Sequence, residues 1–299
     1  MKGIFPIEKF RNLQTPFYYY DTDLLRNTLN VINREAERYE NFQVHYAVKA
    51  NANAKILAVI RDSGMGADCV SGGEIRAALQ AGFPAGKIVY AGVGKADWEI
   101  ELGLDNDIFC FNVESVPELE VINALAAAKG KVARVAFRIN PNVGAHTHAH
   151  ITTGLAENKF GISMDDMDRV IDLALGMSNV RFIGLHFHIG SQILDMGDFA
   201  ALCNRINELQ ARLAARRILV EHINVGVVWA STTSIPTASL FPILLHTLRA
   251  TTSTCAATDN KPSISNWGGP LSVSVAHSSR KYSMSSREPT SSLPLSMPV

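Results

Sequence analysis

Val44-His45-Tyr46-Ala47-Val48-Lys49, followed at once by Ala50-Asn51-Ala52-Asn53, is the stretch on which the reading of this chain turns. Alternating β-branched, aromatic and small residues favour a buried strand. Such a strand carries the Lys49 amine to the rim of a core, where desolvation makes the neutral, nucleophilic form accessible. A lysine that forms a Schiff base needs that form. From these residues alone, an ordinary strand-end lysine reaching for solvent is the commoner outcome, because buried lysines are rare.

Outward from this strand the chain alternates short apolar runs with longer amphipathic stretches. That is the pattern of crossover helices joining parallel strands. Candidate strands are 44–48, 66–70, 88–91, 108–112, 132–139, 182–189 and 222–225. Ser115-Val116-Pro117-Glu118 has capping-box form with a proline in the first turn, and Gly130 can end the helix it starts. Ser71-Gly72-Gly73-Glu74 repeats the pattern, with Gly82 as the stop. Seven strands separated by helices predict an α/β fold of the (β/α)8 TIM type that lacks its last strand. In such barrels the chemistry sits at the carboxyl ends of the strands. An open doubly wound sheet is the alternative, but no Gly-x-Gly-x-x-Gly turn or phosphate loop is present to place a nucleotide.

Of the 299 residues 47% are hydrophobic, enough for a large core, and 28 basic residues balance 28 acidic ones. This balance leaves no electrostatic footprint for nucleic acid or an anionic membrane, so a small-molecule ligand is expected. No apolar run reaches the length of a membrane span, and Met1-Lys2-Gly3-Ile4-Phe5-Pro6 lacks a signal-peptide core, which reads as a cytoplasmic protein. Cys69, Cys110, Cys203 and Cys255 are scattered without a Cys-x-x-Cys pair and are expected as reduced thiols. His146, His148 and His150 alternate like metal ligands, yet they follow Pro141-Asn142-Val143-Gly144, a loop, and no metal is expected there.

Tyr46-Ala47-Val48-Lys49-Ala50-Asn51 resembles the cofactor-lysine motif of the pyridoxal-phosphate (PLP) decarboxylases built on the alanine-racemase-like barrel, which include diaminopimelate, ornithine and arginine decarboxylases. Gly66-Ala67-Asp68-Cys69-Val70-Ser71-Gly72-Gly73-Glu74, Phe111-Asn112-Val113-Glu114-Ser115 and Arg138-Ile139-Asn140-Pro141 resemble further motifs in the family's order. So do Thr153-Gly154, Lys159-Phe160-Gly161-Ile162 and His186-Phe187-His188-Ile189-Gly190-Ser191-Gln192. The resemblance runs from about Pro16 to Gly226. It implies an N-terminal segment 1–21 whose strand would join a C-terminal β-domain absent here, a PLP-binding barrel over 22–226, and an aberrant Ser/Thr-rich tail over 227–299. Lys49 would hold PLP covalently and His188 would stack on its ring. Ser191 would offer a hydroxyl near the phosphate, Asp68 a carboxylate near Lys49, and Gly226 the first of the phosphate-cradling glycines. The family would form a homodimer. Gln192 and the run from His150 to Ile162 look most like the diaminopimelate branch, which makes lysine. A carboxynorspermidine- or ornithine-type decarboxylase, a PLP-binding barrel without turnover, and a racemase on the same barrel are the alternatives.

After Gly226 the strand-helix rhythm stops: about a third of the remaining residues are serine or threonine, and only Asp259 and Glu288 are acidic. A low-complexity, disordered tail is one reading. The reading frame offers another. Where the family has Asn-x-Gly-Gly-Gly-x-Gly, this chain has Asn224-Val225-Gly226-Val227-Val228-Trp229-Ala230. With codons started one base early, the valines permit Gly-Gly, the next codon permits Leu, and Trp229 with Ala230 forces Gly. In the same offset, Ser265-Asn266-Trp267-Gly268-Gly269 permits Glu, forces Leu and Gly, and permits Arg, the family's Glu-x-Gly-Arg, whose glutamate keeps the cofactor's pyridine nitrogen protonated. A frameshift after Gly226 is therefore expected, and with it a chain that does not turn over.

Overall fold

A computed structural model describes residues 6–14, 16–38, 42–143, 160–193, 196–226, 228–229 and 271–275. Helices α1 (Ile7–Phe10) and α2 (Thr22–Ala36) lead into β1 (Phe42–Ala47). Then α3 (Ala54–Asp62), β2 (Gly66–Cys69), α4 (Gly72–Gln80), β3 (Ile88–Tyr90) and α5 (Asp97–Asp105) alternate. They are followed by β4 (Cys110–Val113), α6 (Val116–Ala128), β5 (Ala133–Arg138), α7 (Met167–Leu175) and β6 (Val180–His186). The series continues with β7 (Ser191–Ile193), α8 (Met196–Ala215), β8 (His222–Asn224), β9 (Val228–Trp229) and β10 (Leu271–Val275).

All seven expected strands are present, parallel, and separated by helices. The place left open in the expected seven-strand barrel, between β1 and β8, is taken by β10, which pairs in parallel with both and closes the ring. Leu271-Ser272-Val273-Ser274-Val275 has the period-2 alternation of a strand despite its serine-rich setting. No separate C-terminal β-domain occurs among the described residues. Residues 17–21, the expected strand of such a domain, have no strand pairing.

Outward-facing strand residues such as Val44, Tyr46, Ile88, Phe111, Val135 and Leu185 pack against the helices in one continuous core. Inside the ring Val89, Cys110, Ala136 and Ile183 form a second, smaller cluster. Below the mouth, His45 of β1 and His222 of β8 are buried in the ring. Gly184 is obligatory there, because a Cβ would lie 1.7 Å from the His222 carbonyl oxygen. Cys69 and Cys110 are free and buried, whereas Cys203 is disulfide-bonded, unlike the reduced thiol expected.

The two expected caps form, and their glutamates reach further than a capping box requires. Ser71 Oγ accepts from Glu74 N (3.2 Å) and Ser115 Oγ from Glu118 N (3.3 Å). The carboxylates then accept from the residue before each cap, Glu74 from Val70 N (2.8 Å) and Glu118 from Glu114 N (2.9 Å). Each bond ties a strand end to the helix that follows it. Gly82 and Gly130, at φ +86° and +61°, end the preceding helices as expected.

Candidate active site

The carboxyl ends of the strands converge on one mouth, and the sequence-predicted residues distribute around it. The strand carrying Lys49 ends two residues early: Val48–Ala50 form one 3-10 turn, and the Lys49 side chain is exposed instead of desolvated. Asp68 sits on the neighbouring strand, in register with Ala47. Both charges are felt at half-buried Glu74, whose carboxyl is raised chiefly by burial, then lowered by its bond to Val70 N, raised by Asp68 and lowered by Lys49.

Across the mouth, His188 Nδ1 lies 2.6 Å from the Gly226 carbonyl oxygen. A carbonyl only accepts, so Nδ1 carries the hydrogen and the neutral ring keeps Nε2 as its acceptor. Burial, then the Arg138 charge, push the imidazole down, the Gly226 bond opposes them, and the value is about 4. The ring is therefore uncharged at neutral pH. Gly226 is held in turn by Asn224 Oδ1, which accepts its N–H at 2.9 Å. Its φ is +53°, and a Cβ there would lie 2.1 Å from the Phe187 carbonyl oxygen. Only glycine satisfies both conditions.

Ser191 belongs by its backbone to β7, in register with Val228 of β9, and its side chain is not among those described. His146, His148, His150, Thr153, Gly154 and Lys159 lie outside the described residues, as do 265–269. Among the described residues no group of three or more His, Cys, Asp or Glu could hold a metal ion.

Several residues at the mouth have partners that the sequence motifs did not indicate. Arg138, at the end of β5, donates from Nη1 to Glu114 Oε2 at 2.8 Å. Lys95 donates to Glu118 Oε1 at 2.6 Å. His186 is buried beside Arg138, its register partner, and burial followed by the Arg138 charge holds it well below the usual histidine range. The amide nitrogens of Asn112 and Asn224 and Nδ1 of His186 are buried without a hydrogen-bond partner among the described residues. Buried polar atoms of this kind are rare and recur where a protein meets a ligand.

This chemistry fits the aldehyde and ring ends of PLP, with an exposed primary amine, an uncharged imidazole fixed in one tautomer, and a bare glycine backbone between them. At the phosphate end the fit is poorer. Several free backbone amides are needed there, and beyond Gly226 the chain is instead paired as β9.

A sequence profile described as pyridoxal-dependent decarboxylase, pyridoxal binding domain, matches residues 26–264, beyond the Gly226 limit of the resemblance read from motifs. The chain is 80% identical over 226 residues to a diaminopimelate decarboxylase of Bacteroides thetaiotaomicron, covering 76% of this chain and 58% of that protein. It is 35% identical over 226 residues to the enzyme of that name from Aquifex aeolicus, covering 76% and 53%. The crystal structure of diaminopimelate decarboxylase from Helicobacter pylori complexed with L-lysine superposes with a TM-score of 0.78 at 32% identity, covering 90% of this chain and 65% of the other. The chain thus spans little more than half the length of these curated relatives.

Proposed function

Because the chain belongs to the pyridoxal-dependent decarboxylase family through its pyridoxal binding domain, we propose that its mouth binds PLP at Lys49 and serves the decarboxylation of meso-diaminopimelate to lysine. The observation that carries this reading is the convergence of Lys49, Asp68, His188 and Gly226 on one rim, in a chain 80% identical over 226 residues to a protein named for that reaction. When bound, PLP supplies the electron sink that accepts the electrons left as a carboxylate departs.

The chain's own residues bind and orient. Lys49 would hold the cofactor through its amine, which is exposed at the rim. His188 presents a ring whose orientation is fixed at Nδ1 by the Gly226 carbonyl. An uncharged ring can lie flat on a π-system without desolvating a cation. Asp68, in register with Ala47 on the next strand, would lend a carboxylate near Lys49, and Ser191 would offer a hydroxyl near the phosphate. The surroundings are those of a cytoplasmic enzyme, and the homodimer expected is that of the family.

The residues after Gly226 belong, on this reading, to a shifted frame, and the chain as it stands binds PLP without enzymatic turnover. The pairing of β9 where further glycines would be needed supports this. Borohydride reduction after adding PLP should attach the cofactor at Lys49 and fail to do so in Lys49→Ala; label persisting in that variant, or mapping to Lys159, overturns the assignment. Carbon dioxide release should be negligible from this chain and substantial once the frame is shifted by one base after Gly226. Loss of even one well-placed electrostatic group costs about 10²–10³ in rate. Substantial turnover by the unshifted chain would overturn the frame argument.

A further inference from the structure

Lys95, Glu118 and Glu114 take no part in the chemistry proposed at Lys49, yet all three are buried, with side chains 1%, 10% and 3% exposed. Every donor of the Lys95 ammonium is used: Nζ bonds Gly92 O at 2.7 Å, Asn112 O at 2.9 Å and Glu118 Oε1 at 2.6 Å. Glu118 Oε2 accepts from Glu114 N at 2.9 Å, and Glu114 Oε1 accepts from Gly92 N at 3.1 Å. The circuit closes on itself, because Lys95 holds the carbonyl and Glu114 the N–H of the same glycine. Gly92 has φ +117°, a backbone conformation suited to glycine. Two bonds leave the ring, the one from Lys95 Nζ to Asn112 O and one that Arg138 Nη1 donates to Glu114 Oε2 at 2.8 Å.

Stability alone does not account for this arrangement. Replacing a buried ion pair by well-packed apolar residues is often neutral or favourable, so a buried pair is weak evidence of stabilisation and better evidence of placement. What the ring places is Arg138. Its side chain is 12% exposed, at the end of β5 beside His186, and a guanidinium so near the rim would turn to water if nothing held it.

We propose that Lys95, Glu118 and Glu114 are positioning residues that hold the Arg138 guanidinium on the inner rim beside His186 and His188. The inference rests on the reading of His188 as the residue that faces the cofactor ring. A fixed positive charge there disfavours a second one on either imidazole. His188 then presents an uncharged face, while its Nδ1 stays bonded to Gly226.

The test follows the His188 imidazole by NMR titration in the full 299-residue protein, alongside borohydride-trapped PLP at Lys49. Arg138→Gln removes the charge directly and should move the His188 titration upward. Glu114→Gln should move it in the same direction by a similar amount, because the released guanidinium leaves the rim. Both should weaken PLP labelling by about 2- to 30-fold, the range expected when a coupled residue outside the site is changed. A ring that is only a structural clamp would lower the melting temperature and leave the His188 titration unmoved in Glu114→Gln; that result, or no shift in Arg138→Gln, overturns the proposal. Should Glu114→Gln not fold, Glu118→Gln retains an acceptor for Lys95 and should give a smaller upward shift. If the parent takes no label at Lys49 while the titration still shifts in Glu114→Gln, the cofactor reading fails and the positioning role stands.

Discussion

The arc of the barrel from β3 to β5 and the arc from β6 through β8 to β1 are built on opposite principles. On the first arc four charges meet in ion pairs, Lys95 with Glu118 and Arg138 with Glu114, and buried Glu99 is held by the Tyr90 hydroxyl and the Gly72 and Ala96 N–H groups. On the second the buried strand histidines are His45, His186 and His222, with His188 at the mouth. Burial is the largest influence on His45, His186 and His188, and it pushes all three down. The charged arc is closed upon itself and frames the mouth. Burial keeps His45, His186 and His188 uncharged, and among the described residues His186 Nδ1 and the Asn224 amide nitrogen lack a partner here, as the Asn112 amide nitrogen does on the charged arc. The difference teaches which side is scaffold and which side is free to meet a ligand.

Breaking the charged arc should cost most. Glu118→Ala leaves the Lys95 ammonium buried without its counter-charge, and the expected loss is about 3–5 kcal/mol of unfolding free energy, measured by urea denaturation. A loss below ~1 kcal/mol, the range of exposed pairs, would place that ion pair in contact with water. The histidine arc should reveal itself through pH. His45 is pushed from 6.5 to about 3, by burial first and then by the charges of His222 and Lys87. Between those two values the unfolded chain binds a proton that the folded chain refuses. The His45 contribution is therefore fully present above 6.5 and is lost as pH falls toward 3. The slope it contributes is about 1.4 kcal/mol per pH unit. His45→Leu should flatten the stability-versus-pH curve by that amount, whatever it does to stability at pH 7, and an unchanged slope would assign the acid sensitivity elsewhere.

The smallest effect sharpens the comparison at the outer edge of the rim. Arg76 lies 4.5 Å over the half-exposed Trp98 ring, linking α4 to α5 in the open. Arg76→Ala should cost only about 0.5–1 kcal/mol, read as a small shift in the denaturation midpoint. A loss comparable to that of Glu118→Ala would mean that burial is not what separates strong from weak charge contacts in this molecule.

Much of this arrangement was legible in the sequence because it is local. Period-2 runs marked the seven strands to within a few residues, and Ser71 and Ser115 announced their helices three residues ahead of the glutamates they cap. The strand before Lys49 placed it at the rim, but by itself favoured an ordinary solvent-facing lysine, and the one-turn helix that exposes it was not foreseen. What stayed hidden depends on partners far apart in the chain. Lys95 and Glu118 are 23 residues apart, Glu114 and Arg138 24, and His188 and Gly226 38. Only the closing of the barrel brings them together. Glu118 was seen as a capping residue, which it is, but nothing local says that its side chain also holds a lysine from the preceding strand's loop. β10 was missed for a different reason. Its alternation was present, but it lies in a serine-rich stretch where composition argued for disorder.

The position of β10 in the ring has a consequence for synthesis. The strand leading to Lys49 is paired on one side with β2, which follows it closely, and on the other with Leu271–Val275, near the far end of the chain. A ribosome must therefore deliver the chain as far as Val275 before the circle can shut. Until then β1 and β8 each present a row of unpaired backbone groups to the surroundings, the kind of edge that recruits strands from other molecules. The contact that completes the ring spans most of the chain, and such long-range pairings form slowly. Chaperone demand during translation should accordingly track the release of this last strand, however well the first two hundred residues have already packed.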